Sequence, residues 1–319
     1  KLVPKVKTTA MILYGIYVVF TVIEIIALLI AGMPLFDSMT LTFGTVGTGG
    51  FGLLNSSIAS YSTAVQIIIT VFMIICSINF TVYYMFLIKR PKEALMCEEM
   101  RYYLLIVFGS ALLIAFNIRA SFASFGKAFQ QAIFQVASVI STTGFATADF
   151  NLWPEFSRMI LVLLMFVGAC AGSTGGGFKV SRLIIMVKSV RNEIMSVTHP
   201  RSVQKVHMDG RRIPDNVVKT VLCYLAGYVV ILIVSVLLIS LDNFDMTTNF
   251  TAVMATFNNV GPGLNRVGPT GNFGGFSVLS KLVLMFDMLV GRLELYPMLV
   301  IFAPGLWRIH PHRHVGKVQ

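Results

Sequence analysis

Three glycine-centred segments carry the residues whose chemistry is most informative. They are PLFDSMTLTFGTVGTGGFG (34–52), FGKAFQQAIFQVASVISTTGFAT (125–147) and FDMTTNFTAVMATFNNVGPGLN (244–265). Each begins with an apolar or amphipathic stretch of about three helical turns, too short to cross a bilayer, and ends in a glycine turn. Glycine permits positive φ angles, which would let successive carbonyl oxygens point at one axis. Carbonyl oxygens arranged in this way can replace the water shell of a cation.

Alignment of Gly49, Gly144 and Gly261 predicts the narrowest, cation-coordinating positions of a filter. The backbone oxygens predicted beside them belong to Gly47, Thr48, Thr142, Thr143, Asn259 and Val260. The C-terminal end of each short helix carries a partial negative charge, and it would face the same cavity and favour a cation. A single glycine turn is weak evidence, since glycine ends many helices. Three of them at equivalent places between apolar stretches predict a pore.

The elements that must position these segments are membrane spans. The residues AVILMFWYC make up 56% of the 319 positions, and charged residues make up 12%, compared with roughly 25% in an average soluble domain. Six apolar stretches approach or exceed the roughly 20 residues that cross a hydrocarbon core. They cover residues 9–31, 63–88, 101–118, 157–187, 216–239 and 276–303. We therefore predict an all-α integral membrane protein of repeated span, pore-helix, filter-loop, span units.

The distribution of basic residues predicts the orientation of these spans. Most of the 25 Lys and Arg residues fall in segments that six spans place on one side of the membrane. The opposite segments contain Arg119, Lys127, Arg158, Arg266 and Lys281. By the positive-inside rule the basic side is cytoplasmic, so the glycine segments face the other side. The net charge of +11 therefore reports topology, and we predict no nucleic-acid partner.

No covalent catalysis is predicted. The four cysteines, at 76, 97, 170 and 223, are not at metal-ligand spacing, and no nucleophile, base and orienting group occur at a recognisable spacing. The polar residues predicted at membrane depth are mainly glycine, threonine and asparagine, which suit carbonyl coordination of an ion. An intramembrane enzyme is therefore disfavoured.

Residues 157–187 are predicted to form an interrupted span. Their centre contains Gly168, Gly172, Gly175, Gly176, Gly177 and Lys179. Five glycines would cost a continuous helix about 5 kcal/mol relative to alanine. The string GSTGGGFK is not a phosphate-binding loop, because Phe178 separates the glycines from the lysine and Val180 follows it. Two explanations of the break stay open, close helix packing and a gate that lines the pore.

Arg292 is a second unusual charge, inside the predicted sixth span. A charge at a helix centre costs about 2.5–3.5 kcal/mol on insertion, so another group must compensate for it. Asp287 and Glu294 are near in sequence, but their spacing from Arg292 places them on different helix faces. An ion pair with another helix therefore stays open as an explanation.

Taken together, the motifs resemble the Trk/Ktr/HKT superfamily of potassium transporters. The strings TVGTGGFG (45–52), STTGFATADF (141–150) and NNVGPGLN (258–265) resemble its filter loops, GACAGSTGGGFKVSR (168–182) its interrupted helix and GRLELYP (291–297) its closing helix. The resemblance implies potassium uptake across a bacterial inner membrane through pore repeats in pseudo-fourfold arrangement, with filter loops facing the periplasm. It also implies that the 168–179 segment gates the pore and that Arg292 opposes cations below the filter.

The resemblance further implies a division of the chain and a set of partners. We expect the first of four repeats to be absent from this chain. The predicted divisions are a second pore repeat (1–90), a third (91–187), a cytoplasmic basic loop (188–216), a fourth repeat (217–303) and a cytoplasmic tail (304–319). K+ is the implied cargo bound in the filter, and the implied assembly is a homodimer on a TrkA-like cytoplasmic nucleotide-binding regulatory ring. The basic loop and tail are predicted docking surfaces, with a solvated or membrane-lipid-facing role equally open.

An alternating-access cation symporter, coupled to sodium or protons, is the alternative function. It would use 168–179 as a discontinuous helix around a midplane site. A pore produces single-channel currents and a carrier does not, so electrical recording separates the two.

Overall fold

A computed structural model of the protein describes residues 6–199 and 204–301, and this part of the chain is mainly helical. Its α-helices are α1 (Val6–Ile30), α2 (Leu35–Val46), α3 (Thr63–Cys76), α4 (Phe80–Leu87), α5 (Pro91–Leu95), α6 (Glu98–Ile118), α7 (Phe125–Ile140), α8 (Glu155–Val167), α9 (Val180–Thr198), α10 (Asp215–Ile239), α11 (Met246–Phe257), α12 (Val278–Leu293) and α13 (Leu295–Ile301). The predicted tail at 304–319 lies outside the described residues, as do positions 200–203 of the predicted basic loop.

Helices α1, α6 and α10 contain continuous stretches long and apolar enough to cross a membrane. These stretches are Ala10–Ile30, Glu98–Ser121 and Asp215–Asp242. Large apolar side chains on them, such as Val18, Leu105 and Ile233, are exposed at the surface. Exposed apolar surface of this extent is what contact with lipid requires. The three stretches match the first, third and fifth predicted spans.

The second predicted span, 63–88, is not one continuous helix but two apolar helices joined by a sharp bend. Helices α3 and α4 meet at 87° across the three residues between them. Asn79 begins α4, because its side-chain oxygen accepts a hydrogen bond from the Thr81 N–H at 2.8 Å. The Phe80 N–H, freed by the break, donates to the Gly172 carbonyl at 3.1 Å. Irregular backbone is tolerated at membrane depth when protein satisfies it in this way.

The sixth predicted span, 276–303, is also broken, whereas the fourth is interrupted as predicted. Helix α12 ends at Leu293, and Glu294 follows with a φ of 67°, in the left-handed region. The Glu294 carboxylate accepts a hydrogen bond from Arg182 Nη2 at 2.6 Å, which holds the break against the start of α9. In the fourth span, α8 and α9 flank the predicted interruption, and α9 continues past the predicted boundary at 187.

A short β-hairpin departs from the predicted all-α fold. Strands β1 (His207–Met208) and β2 (Arg211–Arg212) pair antiparallel within the predicted basic loop. Asp209 and Gly210 join them with φ angles of 50° and 71°, the geometry that favours a two-residue type I′ turn.

The three short helices predicted before the glycine turns are present as α2, α7 and α11. Side chains cap two of them, since Ser124 accepts from the Lys127 N–H at 3.3 Å and Asp245 from the Thr248 N–H at 3.0 Å. Most residues in the second half of each helix are buried, including Leu41, which is fully buried. Their C-terminal ends therefore reach the protein interior, where the glycine turns follow.

Candidate ion pathway

The three glycine turns have the same backbone conformation. Two residues after the last residue of each helix, the chain enters the left-handed region, and it returns there two residues later at a glycine. The paired positions are Thr48 and Gly50 (φ 51° and 67°), Thr142 and Gly144 (59° and 85°), and Asn259 and Gly261 (56° and 101°). Asparagine adopts this region as a single residue, and glycine does so without steric cost, whereas a β-branched threonine is strained there.

Hydrogen bonds confirm that the three turns are equivalent. In each turn, two consecutive backbone N–H groups donate to one carbonyl near the end of the preceding helix. The donors are Gly49 and Gly50 to Gly44 (2.8 and 3.1 Å), Thr143 and Gly144 to Ser138 (3.0 and 3.2 Å), and Val260 and Gly261 to Ala255 (2.8 and 3.4 Å).

This equivalence corrects the predicted alignment of the first turn. Gly50 occupies the position of Gly144 and Gly261, whereas the sequence analysis aligned Gly49 there. Gly49 corresponds instead to Thr143 and Val260. Gly47 is the C-cap residue of α2, so it lies before the positions that the three turns share, and its predicted place beside Gly49 moves to Thr48.

The turns lie side by side in chain order. A Cβ atom added at Gly50 would overlap the carbonyl oxygen of Thr143, and one added at Gly144 would overlap the carbonyl oxygen of Val260. The glycine of one turn therefore lies directly against the backbone of the next. No residue with a side chain could occupy either position without moving a carbonyl group of the neighbouring turn.

Cavities lie on both sides of the turns. One of about 290 Å³ is lined by Gly50, Gly144 and Gly261, together with residues such as Leu54 and Pro269. Another of about 350 Å³ is lined by Tyr17, by residues 173–177 and by both Lys179 and Arg292. A third cavity, of about 730 Å³, is bordered by Gly47, Thr48, Gly49, Asn259, Val260 and Gly261. Most of the predicted filter and gate residues thus line these cavities, whereas Thr142, Thr143, Gly168 and Gly172 do not line any of the three.

The non-helical 168–179 segment, which we call the intramembrane loop, contacts the turns directly. The Thr48 hydroxyl donates to the Thr174 carbonyl at 2.9 Å. The Gly176 N–H donates to the Thr142 hydroxyl at 2.7 Å. A Cβ at Gly176 would lie 2.8 Å from the carbonyl oxygen of Asn258, so the loop also passes close to the third turn.

Backbone geometry explains several of the predicted loop residues. Gly168, Gly172, Gly177 and Lys179 all have positive φ angles, from 67° to 83°. Gly175 does not have a positive φ angle, but a Cβ atom added to it would lie 2.9 Å from the carbonyl oxygen of Ser141. The Lys179 ammonium group donates to the Gly175 carbonyl, so the charge folds back on the loop.

Arg292 lies beside the loop, in the cavity that residues 173–177 also line. Its Nη1 donates to the Thr174 carbonyl at 3.2 Å, the same oxygen that accepts from Thr48. In the part of the chain that the structure describes, no carboxylate lies within ion-pair distance of Arg292, since Glu294 pairs with Arg182. Asp287 accepts instead from the Ser235 hydroxyl at 2.8 Å. An ion pair therefore does not explain Arg292 within residues 6–199 and 204–301.

Backbone oxygens are the donors that these turns offer to a cation. No group of three His, Cys, Asp or Glu side chains that could hold a metal ion occurs within residues 6–199 and 204–301. Thr142 and Asn258 are almost fully buried, and Gly144 lies against the backbone of Val260, so the conformations of all three are constrained. Backbone carbonyl groups are therefore the ligands through which these turns could replace the water around a cation.

Sequence reasoning missed three residues around the pathway. The sequence alignment assigned Gly49 to the position that Gly50 occupies, and only the exact end of α2 distinguishes these two glycines. Gly291 lets α12 approach the third turn, because an added Cβ would overlap the Phe257 carbonyl oxygen. Glu99, at the start of α6, accepts a hydrogen bond from the Ala171 N–H of the intramembrane loop at 2.7 Å. Its sequence signal, an acidic residue in a first helical turn, is common to many helices.

Comparison with known proteins places these features in one family. A family model described as TrkH, a cation transport protein, matches residues 1–309. The "Trk system potassium uptake protein TrkH" of Salmonella typhimurium is 35% identical over 315 residues, which cover 97% of this chain and 64% of that protein. The "Trk system potassium uptake protein TrkG" of Escherichia coli is 30% identical over 311 residues, with the same coverage.

A solved structure gives the same result. The crystal structure of the potassium transporter TrkH from Vibrio parahaemolyticus matches with a TM-score of 0.88 and 33% sequence identity. The match covers 96% of this chain and 66% of that one. The chain thus spans slightly less than two thirds of the length of these relatives. On the family model, the sequence identity and the shared helical fold, the chain belongs to the TrkH family of cation transport proteins.

Proposed function

We propose that this protein mediates potassium uptake across a bacterial inner membrane through a selective pore. The observation that carries the proposal is the set of three equivalent turns, with the glycines of the first two lying against carbonyl groups of the next turn. The relatives from Salmonella typhimurium and Escherichia coli carry the name of potassium uptake proteins. Residues 1–90, 91–187 and 217–303 would each contribute one repeat to a pore with pseudo-fourfold symmetry.

In this proposal K+ is bound in the filter by backbone oxygens. The coordinating carbonyls are those of Thr48, Gly49, Thr142, Thr143, Asn259 and Val260, which precede Gly50, Gly144 and Gly261. Helices α2, α7 and α11 direct the negative ends of their dipoles at the same place and stabilise a cation there. The excess of basic residues at the other ends of the spans supports an orientation in which these turns face the periplasm.

The proposed gate is the intramembrane loop. It bonds to Thr48 and Thr142 of the first two turns, and its Thr174 carbonyl accepts from Arg292. A segment held this close below the filter would obstruct ions that have passed through it.

Deletion of Gly175–Gly177 tests the gate. We expect basal potassium flux into liposomes, without any cytoplasmic partner, to rise about tenfold, a change equivalent to about 1.4 kcal/mol. Potassium over sodium selectivity should be kept, because the filter turns are unchanged. A correctly inserted deletion variant with wild-type flux would instead support a passive packing role for the loop.

The proposed assembly is a homodimer on a TrkA-like cytoplasmic ring that binds nucleotides. The basic loop offers Arg191 and Arg211 as exposed charges on α9 and on the hairpin. Lys188 pairs with Glu98, which ties the same region to the start of α6. Movement of α9 by a docked ring would therefore reach the intramembrane loop, whose end is the start of that helix. A membrane-lipid contact for the same charges is tested by comparing binding to the ring with binding to anionic vesicles.

The alternating-access symporter remains the second candidate, because two helix breaks, in α3–α4 and in α8–α9, face each other. Broken helices of this kind form substrate sites in secondary transporters. Side-by-side potassium and sodium flux measurements in liposomes, with electrical recording, decide between the two. Single-channel currents selective for potassium support the pore, whereas flux that is electrically silent or requires sodium or a proton gradient supports the symporter.

A further inference from the structure

Glu99 is a buried carboxylate for which the proposed pore assigns no role. It is the second residue of α6 and is 2% exposed. Its Oε1 accepts hydrogen bonds from the N–H groups of Ala171, at 2.7 Å, and Ser181, at 3.2 Å. Its Oε2 accepts from Asn79 Nδ2 at 3.4 Å. One side chain therefore joins the intramembrane loop, the start of α9 and the break between α3 and α4.

Helix α9 depends on this carboxylate because it has no cap of its own. The residue at its N-cap position is Lys179, which makes no side-chain capping bond. Lysine carries only hydrogen-bond donors, so it cannot accept from the N–H groups of a first turn. Those groups need acceptors, and the positive end of the helix dipole favours an anion. Glu99 supplies both requirements from a different helix by accepting from Ser181.

The same carboxylate closes a contact between two unwound segments. Three hydrogen bonds join them, from the Cys170 N–H to the Ser77 carbonyl (3.0 Å), from the Phe80 N–H to the Gly172 carbonyl (3.1 Å) and from the Thr174 hydroxyl to the Cys76 carbonyl (3.2 Å). Asn79 belongs to this contact, since its oxygen caps α4 and its amide group donates to Glu99. The loop is thus anchored to the break in the second span as well as to the filter turns.

We propose that Glu99 is a positioning residue, which we call a latch, that keeps the intramembrane loop in its obstructing position. It does so by accepting hydrogen bonds from Ala171, near the start of the loop, and from Ser181, just after its end. The inference rests on the proposed gating role of the loop. Neither Ala171 nor the start of α9 can move away from α6 without losing a charge-assisted hydrogen bond, the stronger class of hydrogen bond. Weakening these hydrogen bonds therefore favours conformations in which the loop has moved away from the filter turns.

Glu99→Gln is the central test, with Glu93→Gln as its matched control. Glutamine removes the charge and points an NH₂ donor at groups that are themselves donors, whereas Glu93 lies exposed on α5 and pairs with Arg90. In liposomes containing the full-length protein without a cytoplasmic partner, we expect Glu99→Gln to raise basal potassium flux about tenfold, or about 1.4 kcal/mol. Potassium over sodium selectivity should not change, and Glu93→Gln should behave as wild type. Asn79→Ala, which removes one of the three bonds, should give a smaller rise, and it carries the test if Glu99→Gln fails to insert.

Combination with the Gly175–Gly177 deletion separates the latch from the gate. If Glu99 acts through the loop, Glu99→Gln adds no further flux once the loop is shortened. If the deletion raises basal potassium flux but a correctly inserted Glu99→Gln does not, the latch is overturned and the gate stands. If Glu99→Gln fails to insert, the same conclusion follows when Asn79→Ala leaves the flux unchanged. Wild-type flux in both overturns the gate itself. An additive rise in the double variant, or an equal rise with Glu93→Gln, also overturns the latch, because the charge would then act independently of the loop.

Discussion

Replacement of Gly50 by alanine should abolish most of the potassium selectivity, whereas the same replacement at neighbouring Gly49 should be tolerated. Gly50 has a φ of 67°, and its Cβ would overlap the Thr143 carbonyl oxygen. The carbonyl must move, and a change of about 3 kcal/mol in relative cation binding would alter selectivity about a hundredfold. Gly49 does not have a positive φ, and its Cβ would meet only the Phe51 ring, at 3.3 Å.

Measurement of potassium and sodium flux side by side in liposomes checks this pair. Gly144→Ser extends it, since Gly144 has a φ of 85° and lies against the Val260 carbonyl in the same way. It should lose selectivity as Gly50→Ala does, while Gly49→Ala keeps both selectivity and flux near wild type. If Gly49→Ala damages selectivity and Gly50→Ala does not, Gly49 is the functional counterpart of Gly144 and Gly261, although Gly50 shares their backbone conformation. Retained selectivity in both Gly50→Ala and Gly144→Ser would contradict the filter.

The one-residue error at the first turn shows what the sequence could not supply. The second turn has one glycine and the third has a proline after Gly261, but the first offers Gly49 and Gly50 in succession. The choice between them depends on α2 ending at Val46, and helix ends are the least certain part of a sequence-based prediction. The pore helices themselves were predictable, because short apolar segments before glycine turns leave few other structures at membrane depth.

The two unpredicted helix breaks have a different origin. Residues 77–79 contain neither glycine nor proline, so nothing local signals an 87° bend. The bend is instead held by hydrogen bonds from Cys170 to Ser77 and from Phe80 to Gly172, whose partners are more than 90 positions apart in the chain. The break at Glu294 likewise depends on distant Arg182. In contrast, five glycines within ten positions make the interruption of the fourth span predictable from local propensity alone.

Replacement of Arg292 by alanine should raise potassium flux without changing selectivity. The guanidinium group bonds to the intramembrane loop at Thr174, below the turns, in a cavity that also contains Lys179. A unit positive charge about 6 Å from a passing cation raises its energy by about 3 kcal/mol at an effective dielectric constant of about 20. Removal of that barrier could speed conduction by up to about a hundredfold. Water in the cavity screens part of the field, so the measured rise should be smaller than this limit.

Arg292→Lys is the control that separates charge from contact. Lysine keeps the positive charge but cannot reproduce the planar geometry of the guanidinium group. If the charge opposes cations, Arg292→Lys keeps flux near the wild-type level while Arg292→Ala raises it. If Arg292 acts mainly by holding the loop through Thr174, both variants raise flux.

An ion pair with a group beyond the described residues predicts the opposite result, because a buried partner left without its counter-charge destabilises a protein by about 3–5 kcal/mol. A lower melting temperature with unchanged or reduced flux in Arg292→Ala would therefore contradict the barrier, and a higher flux at normal thermal stability would support it.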